Sequence, residues 1–260
     1  MTNKVSLMSS ILQYAMEGKL VSQNKNDSKS EEFLFYLLKN KGKKYNKVVF
    51  DNGKYYEIIK GIKKDVSKEI SVKIPECWTY IRLNDLVDKI LIGGTPLRTI
   101  TSYYHNGNIP WVKIGDMKSK YINETSELIT QDGMNNSSAK LLPIGTILYS
   151  IIANIGTTAF LNIEACTNQG IAGLFFDDSL NKEFIYYFLK NSATYMMKQS
   201  HGTAYNSINS KNLRNMFIPF PPIEEQQRIV AKIKQLEPLI DKYEELIKQR
   251  NILDENLAKK

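Results

Sequence analysis

Two turn-rich segments concentrate side chains suited to recognition. The first is "IGGTPLRTITSYYHNGNIPWVKIGDM" (92–117), with Thr95, Arg98, Tyr104, His105 and Lys113, and Lys118 just beyond it. The second is "HGTAYNSINSKNLRNM" (201–216), with His201, Thr203, Tyr205, Asn206, Ser207, Lys211 and Arg214. Arginine can pair with guanine and asparagine with adenine, while Ser, Thr, Tyr and Lys can bond the phosphate backbone. These thirteen residues are the candidate DNA contacts, with Tyr205, Asn206 and Ser207 as readers. Polar loops carry such residues whatever they do, so composition alone does not decide.

A catalytic constellation is not apparent. There is no Gly-x-Gly-x-x-Gly and no Gly-x-x-x-x-Gly-Lys-Ser/Thr phosphate loop. The Asn/Asp-Pro-Pro-aromatic motif by which amino-methyltransferases hold a flipped base is also missing. His105 and His201 lie far apart, and Cys77 and Cys166 have no metal-ligand spacing. The chain is expected to bind rather than catalyse and to hold no metal. Both cysteines are expected as reduced core thiols of a cytoplasmic protein.

The elements that must position these residues follow from pattern. The chain has 260 residues, 42% of them hydrophobic, enough for one substantial core and an appendage. No apolar run approaches the roughly 18 residues of a membrane span. The net charge of +8 points to a polyanionic partner. Residues 19–70 hold 13 Lys and 7 acids, so most of the excess lies in a lysine-rich segment that reads as a basic linker or mobile arm touching phosphates. Residues 71–220 read as an α+β recognition domain of mixed strands. "GTILYSIIANIGTTAFL" and "GIAGLFF" favour strands, "NKEFIYYFLKNSATYMMKQS" a helix, and a short helix is expected from about Asn84.

The stretch "IPFPPIEEQQRIVAKI" joins that domain to a helix spanning 221–260. Pro222 suits a first helical turn, and Glu224 and Glu225 suit the positive end of the helix dipole. Ile229, Ile233, Leu236, Ile240, Tyr243 and Ile247 follow in steps of 4, 3, 4, 3 and 4, a heptad seam broadened by Leu246, Leu253 and Leu257. That face predicts a helical partner, and Pro238 predicts a helix kinked or divided in two. Val5, Met8, Leu12 and Ala15 predict a short helix within residues 1–18, stopped at Gly18 and too short to stand alone. Its expected partner is the end of the C-terminal helix.

"SILQYAMEGKLV", "GGTPLR", "IPWVKIGD", "NQGIAGL" and "HGTAYNSINSKNLRNMFIPFPPIEEQQRIVAKI" together resemble the specificity subunits of type I restriction-modification systems. The resemblance implies a target recognition domain that grips double-stranded DNA, and spacer helices forming a coiled coil that docks methyltransferase and, in some systems, restriction subunits. S-adenosylmethionine, ATP and Mg then belong to those partners and none to this chain. Family members usually carry two recognition domains, whereas the Gly-Gly-Thr-Pro and Pro-Pro-Ile-Glu-Glu-Gln-Gln-Arg segments occur once here. The chain thus looks like a half-subunit cut within the central helix, expected to pair with itself and read an interrupted palindrome. The alternatives are a half that pairs with a different specificity chain, an inactive half, or a coiled-coil adaptor that reads no DNA.

Overall fold

The computed structural model describes residues 7–70, 72–199 and 207–258, with the side chains of 194–199 and 253–258 left aside. The helices are α1 (Leu7–Met16), α2 (Ser30–Asn40), α3 (Leu83–Leu86), α4 (Gln131–Asn135), α5 (Lys182–Gln199), α6 (Ser210–Asn215) and α7 (Ile223–Ala258). The strands of the first half are β1 (Val48–Asp51), β2 (Lys54–Ile59), β3 (Ile62–Asp65), β4 (Thr79–Arg82), β5 (Val87–Ile92), β6 (Ile109–Val112), β7 (Tyr121–Ile122) and β8 (Leu128–Ile129). Those of the second half are β9 (Ile147–Ser150), β10 (Thr158–Leu161), β11 (Cys166–Thr167), β12 (Ile171–Phe176) and β13 (Phe217–Phe220). The class is α+β with mixed sheets, as the sequence predicts.

A five-stranded sheet in the order β5-β12-β9-β10-β7 forms the centre. It is antiparallel except where β10 and β7 run parallel. Both of its faces are covered, which explains why "GTILYSII" reads as a continuous apolar run rather than an alternating one. Ile147, Tyr149, Phe160 and Leu174 face a large core shared with α1, α2, α5 and the start of α7. Leu148, Ala159, Leu161 and Ile171 face a second core with Val112, Ile122 and Leu142. A smaller sheet, β11-β6-β8, lies beside this second core.

Residues 19–70, expected as a linker or mobile arm, are instead built structure. They contribute α2 and the antiparallel meander β1-β2-β3. The meander packs on the two-stranded pair β13-β4 through edge contacts of Tyr80 with Tyr55 and Phe217, at 5.6 and 6.2 Å. Arg82 donates to the buried Glu57 carboxylate from Nε and Nη2, at 2.9 and 2.6 Å, and from Nη1 to Glu69 at 2.9 Å. The lysines are largely engaged as well. Lys47 pairs with Glu31, Lys54 with Asp65, Lys63 with Asp51 and Lys64 with Glu69. These pairs order the segment, while its 13 Lys against 7 acids still leave an excess of positive charge on its surface.

Three further expectations need correction. Helix α7 continues through Pro238 as one element, so the expected division into two segments does not occur. Pro238 removes one backbone bond, and its exposed position lets water serve the carbonyl left behind. Helix α1 packs against α5 and the beginning of α7 in its own chain rather than waiting for a distal helix end: Leu12, Ala15 and Met16 join Ile229 and Ile233 in one core. Only Cys166 is a core thiol, because Cys77 is exposed and lies 2.9 Å from Gln23 Oε1. Among the described residues no helix is long and apolar enough to cross a membrane.

Pro219 is accommodated in β13 because that strand pairs on one side only, with β4. Pro222 accepts the first helical bond of α7, from the Gln226 amide at 2.9 Å. The acids of the first turn take specific donors. Glu224 accepts from Ser28 Oγ at 2.7 Å, and buried Glu225 from Trp78 Nε1 at 2.9 Å and Gln23 Nε2 at 2.7 Å.

Candidate nucleic-acid interface

The motifs "GGTPLR", "IPWVKIGD" and "NQGIAGL" converge on one platform. Gly93 donates to the Ile171 carbonyl at 3.0 Å and Gly94 to that of Thr167 at 2.9 Å. A Cβ on Gly93 would lie 2.3 Å from the Thr167 and Asn168 carbonyl oxygens, and one on Gly94 2.3 Å from the Ala139 amide nitrogen. Only glycine permits that approach. Buried Trp111 donates its indole N–H to the Gly94 carbonyl at 3.0 Å, and β6 pairs in parallel with β11 through Trp111 and Val112. The glycine pair therefore fixes where the following loop leaves the sheet.

Strand register places several loops at one end of the five-stranded sheet. Ile92 ends β5 opposite Ala172, while Ser150 ends β9 opposite Ile171. Thr158 begins β10 opposite Tyr149, and Tyr121 begins β7 opposite Phe160. The loops 93–108, 113–120, 151–157 and 168–170 all emerge there. The bridge between Ile152 and Ser207 brings Ser207 of the second predicted segment to the same edge. Five strands must be placed before these loops come to one sheet end.

Thr95 hydroxyl and Gln169 amide oxygen are hydrogen-bonded across this edge. Arg98 lies over the rings of Tyr104 and Trp111, at 4.4 and 4.9 Å, and pairs with Glu127 at 2.7 Å. Lys113 reaches the same carboxylate at 2.6 Å. The Lys113 ammonium and the Arg98 guanidinium hold the Glu127 carboxyl below its ordinary range. Stacking fixes the plane of the Arg98 guanidinium, a useful preparation for bidentate pairing with a base edge or a phosphate.

Tyr104 donates to the Pro96 carbonyl and packs edge-on against Trp111, so it shapes the loop from within. His105 and Lys118 are exposed. Ser207 and Lys211 are exposed, and Lys211 sits in α6, whose first turn is capped by Asn209 accepting from the Asn212 amide at 2.8 Å. Arg214 turns towards α3, donating to Asn84 Oδ1 at 3.2 Å. Helix α3 leads into the opposite end of β5 from Ile92, which separates Arg214 from the loop cluster. His201, Thr203, Tyr205 and Asn206 lie outside the described residues.

The reading from sequence overlooked the loops 151–157 and 168–170 and the acid Glu127. "NIG" between two apolar runs is a local hairpin signal, and Gly156 has a φ of +90°. Nothing local indicates that this turn stands at the same sheet end as the loop that begins at Gly93. Among the described residues no group of three or more His, Cys, Asp or Glu is disposed to hold a metal ion.

Residues 75–251 match the family model described as the type I restriction modification DNA specificity domain. The MjaIX specificity subunit of Methanocaldococcus jannaschii is 30% identical over 187 residues, covering 70% of this chain and 42% of the relative. The EcoR124I/EcoR124II specificity subunit of Escherichia coli is 29% identical over 153 residues, covering 56% and 38%. A chain from structural work on complex assembly and conformational transition of the type I R-M system superposes with a TM-score of 0.55 and 26% identity, covering 72% of this chain and 45% of its own. The HsdS subunit from Thermoanaerobacter tengcongensis gives 0.50 and 24%, covering 82% and 44%, a likeness of fold. The chain spans less than half the length of each of these proteins.

Proposed function

Since the chain belongs to the type I restriction modification DNA specificity family, we propose that it reads double-stranded DNA for a complex whose chemistry resides elsewhere. Methyltransferase subunits, and restriction subunits where a system has them, would be its partners in the cytoplasm. S-adenosylmethionine, ATP and Mg would be theirs. The loops at the end of the five-stranded sheet form the DNA-contacting surface, with Thr95, Arg98, Lys113 and Ser207 nearest the DNA, Lys118 beside its backbone rather than its bases, and Lys211 at its margin. The observation that carries this reading is the convergence of the family's matched segment on one loop cluster holding a stacked, oriented Arg98.

Sequencing methylated adenines in a host with and without the gene tests it. A recurrent motif should appear only with the gene, and identical methylation in both strains would sink the proposal. Two copies pairing through α7 form the finer reading, supported by the exposed apolar residues Leu239, Tyr243, Leu246 and Ile252. A two-fold pair of identical readers meets inverted half-sites, so the motif would be an interrupted palindrome. An asymmetric motif would point instead to pairing with a different specificity chain.

A further inference from the structure

A recess of about 360 Å³ opens between the loop before β7, the β9–β10 turn and α5. Lys118, Lys120 and Lys190 line it together with Ser119, Thr157 and Thr158. Its shape depends on Gly156, whose φ is +90° and whose Cβ would stand 2.6 Å from that of Ala193 in α5. Any other residue would push the turn from the helix and open the recess. The lysines come from two separate parts of the chain and meet only in the fold.

Their charges are not equally committed. Lys120 is bonded to the Glu183 carboxylate and lies over the rings of Tyr121, Tyr186 and Tyr187. Lys118 and Lys190 are exposed and have no carboxylate partner among the described residues; Lys190 stands 5.8 Å from the Tyr186 ring centre. Glu183 is itself shared, with Lys120, the Tyr121 hydroxyl and Lys234 of α7. The Ser119, Thr157 and Thr158 hydroxyls donate to the Tyr121, Asn154 and Gly156 carbonyls, so the recess offers an anionic oxygen cluster its two uncompensated ammonium groups.

We propose that this recess holds a backbone phosphodiester of the DNA, with Lys118 and Lys190 as its cationic walls. The inference rests on the proposed reading of the loop cluster as the DNA surface. The β9–β10 turn lies at that same sheet end, so a duplex on the loops would carry its backbone towards the recess. A phosphate held there adds affinity without reading sequence. Lys190 was not apparent from sequence because it stands within a helix, outside both polar segments.

The test uses the full chain assembled with its methyltransferase subunits. Lys118→Gln and Lys190→Gln are combined, and binding to a mixed-sequence duplex is followed from about 50 to 200 mM salt. Loss of one phosphate contact should make the log–log salt slope shallower by about one. Binding to a duplex carrying the methylated motif should weaken by the same factor, with the motif itself unchanged. Lys118→Arg with Lys190→Arg should restore the slope. An unchanged slope in a folded Gln variant overturns the recess alone, as does a loss confined to the motif duplex. A wild-type assembly that binds neither duplex overturns both the recess and the DNA reading.

Discussion

The two halves of α7 carry similar apolar residues at similar spacing and meet opposite surroundings. In the first half, Ile229 and Ile233 are fully buried within a core that includes α1 and α5, and Ile240 is nearly buried. Tyr187 donates to Glu237 at 3.1 Å, and Lys234 pairs with Glu183 at 3.5 Å, so polar contacts reinforce the same join. In the second half Tyr243 and Leu246 are each 54% exposed and Ile252 59%, while Ile247 is partly covered. The seam expected to serve one intermolecular coiled coil is thus divided. Its first half belongs to the domain, and only its second half is free for a partner. A heptad pattern specifies an apolar stripe, but not whose surface covers it.

That contrast is open to breakage at single residues. Ile233→Ala should cost about 2–5 kcal/mol and lower Tm by roughly 5–20 °C, since it leaves a cavity in the shared core. Thermal melts read this directly, and a shift under a degree would show that the first half is not part of the domain. Leu246→Glu should leave the monomer's stability within about 0.5 kcal/mol. It should weaken self-association by about 10- to 100-fold, the loss of one buried apolar side chain. Sedimentation at graded concentration measures it. A wild-type chain monomeric at micromolar concentration would defeat the pairing.

Polar groups at the base of α7 sharpen the same contrast. Burial pushes the Glu225 carboxyl up despite its bonds to Trp78 and Gln23. A raised acid favours the folded state when protonated, so its contribution is full below the ordinary carboxylate range and fades as pH rises through the folded value. The stability of wild type minus Glu225→Gln should fall as pH rises from about 4, measured by denaturant unfolding; a difference growing with pH would contradict this.

The smallest effect is expected at Arg228, which donates to both Asp27 carboxylate oxygens at 3.0 and 2.6 Å. The Arg228 side chain is 36% exposed, so solvent screening limits Arg228→Ala to about 1 kcal/mol. The Arg228 hydrogen bond holds the Asp27 carboxyl low. This contribution is present above the ordinary carboxylate range and is lost on acidification. The variant should therefore show a shallower loss of stability below about pH 4. An unchanged acid limb would remove Asp27 from the account.

Much of the local structure was legible in the sequence. The β-favouring run at 145–161, the helix at 182–199 and the proline junction at 218–223 follow from propensity and backbone chemistry. The lysine-rich segment was misjudged for a definable reason. Its strands are short, and β3 is exposed throughout, so the alternation that marks a half-buried strand is faint. Its order comes from long-range partners, above all Arg82 on Glu57 and Tyr80 on Tyr55. The candidate interface was half visible, because the polar segment at 92–117 was identified while the turns at 151–157 and 168–170 that flank it were not.

What the sequence determined by itself was the inventory: an α+β domain, a proline-marked exit into a long helix, and loops rich in polar and basic side chains. These follow from φ restriction, periodicity and side-chain chemistry, which act over a few residues. The tertiary structure decided which pieces meet. Pairing in the order β5-β12-β9-β10-β7 sets Ile92, Ser150, Thr158 and Ile171 at one sheet end. The same packing buries Ile233 and leaves Tyr243 exposed, although both lie on the seam. Non-local strand pairing and the reach of the core made those choices, and neither is encoded in any short stretch of the chain.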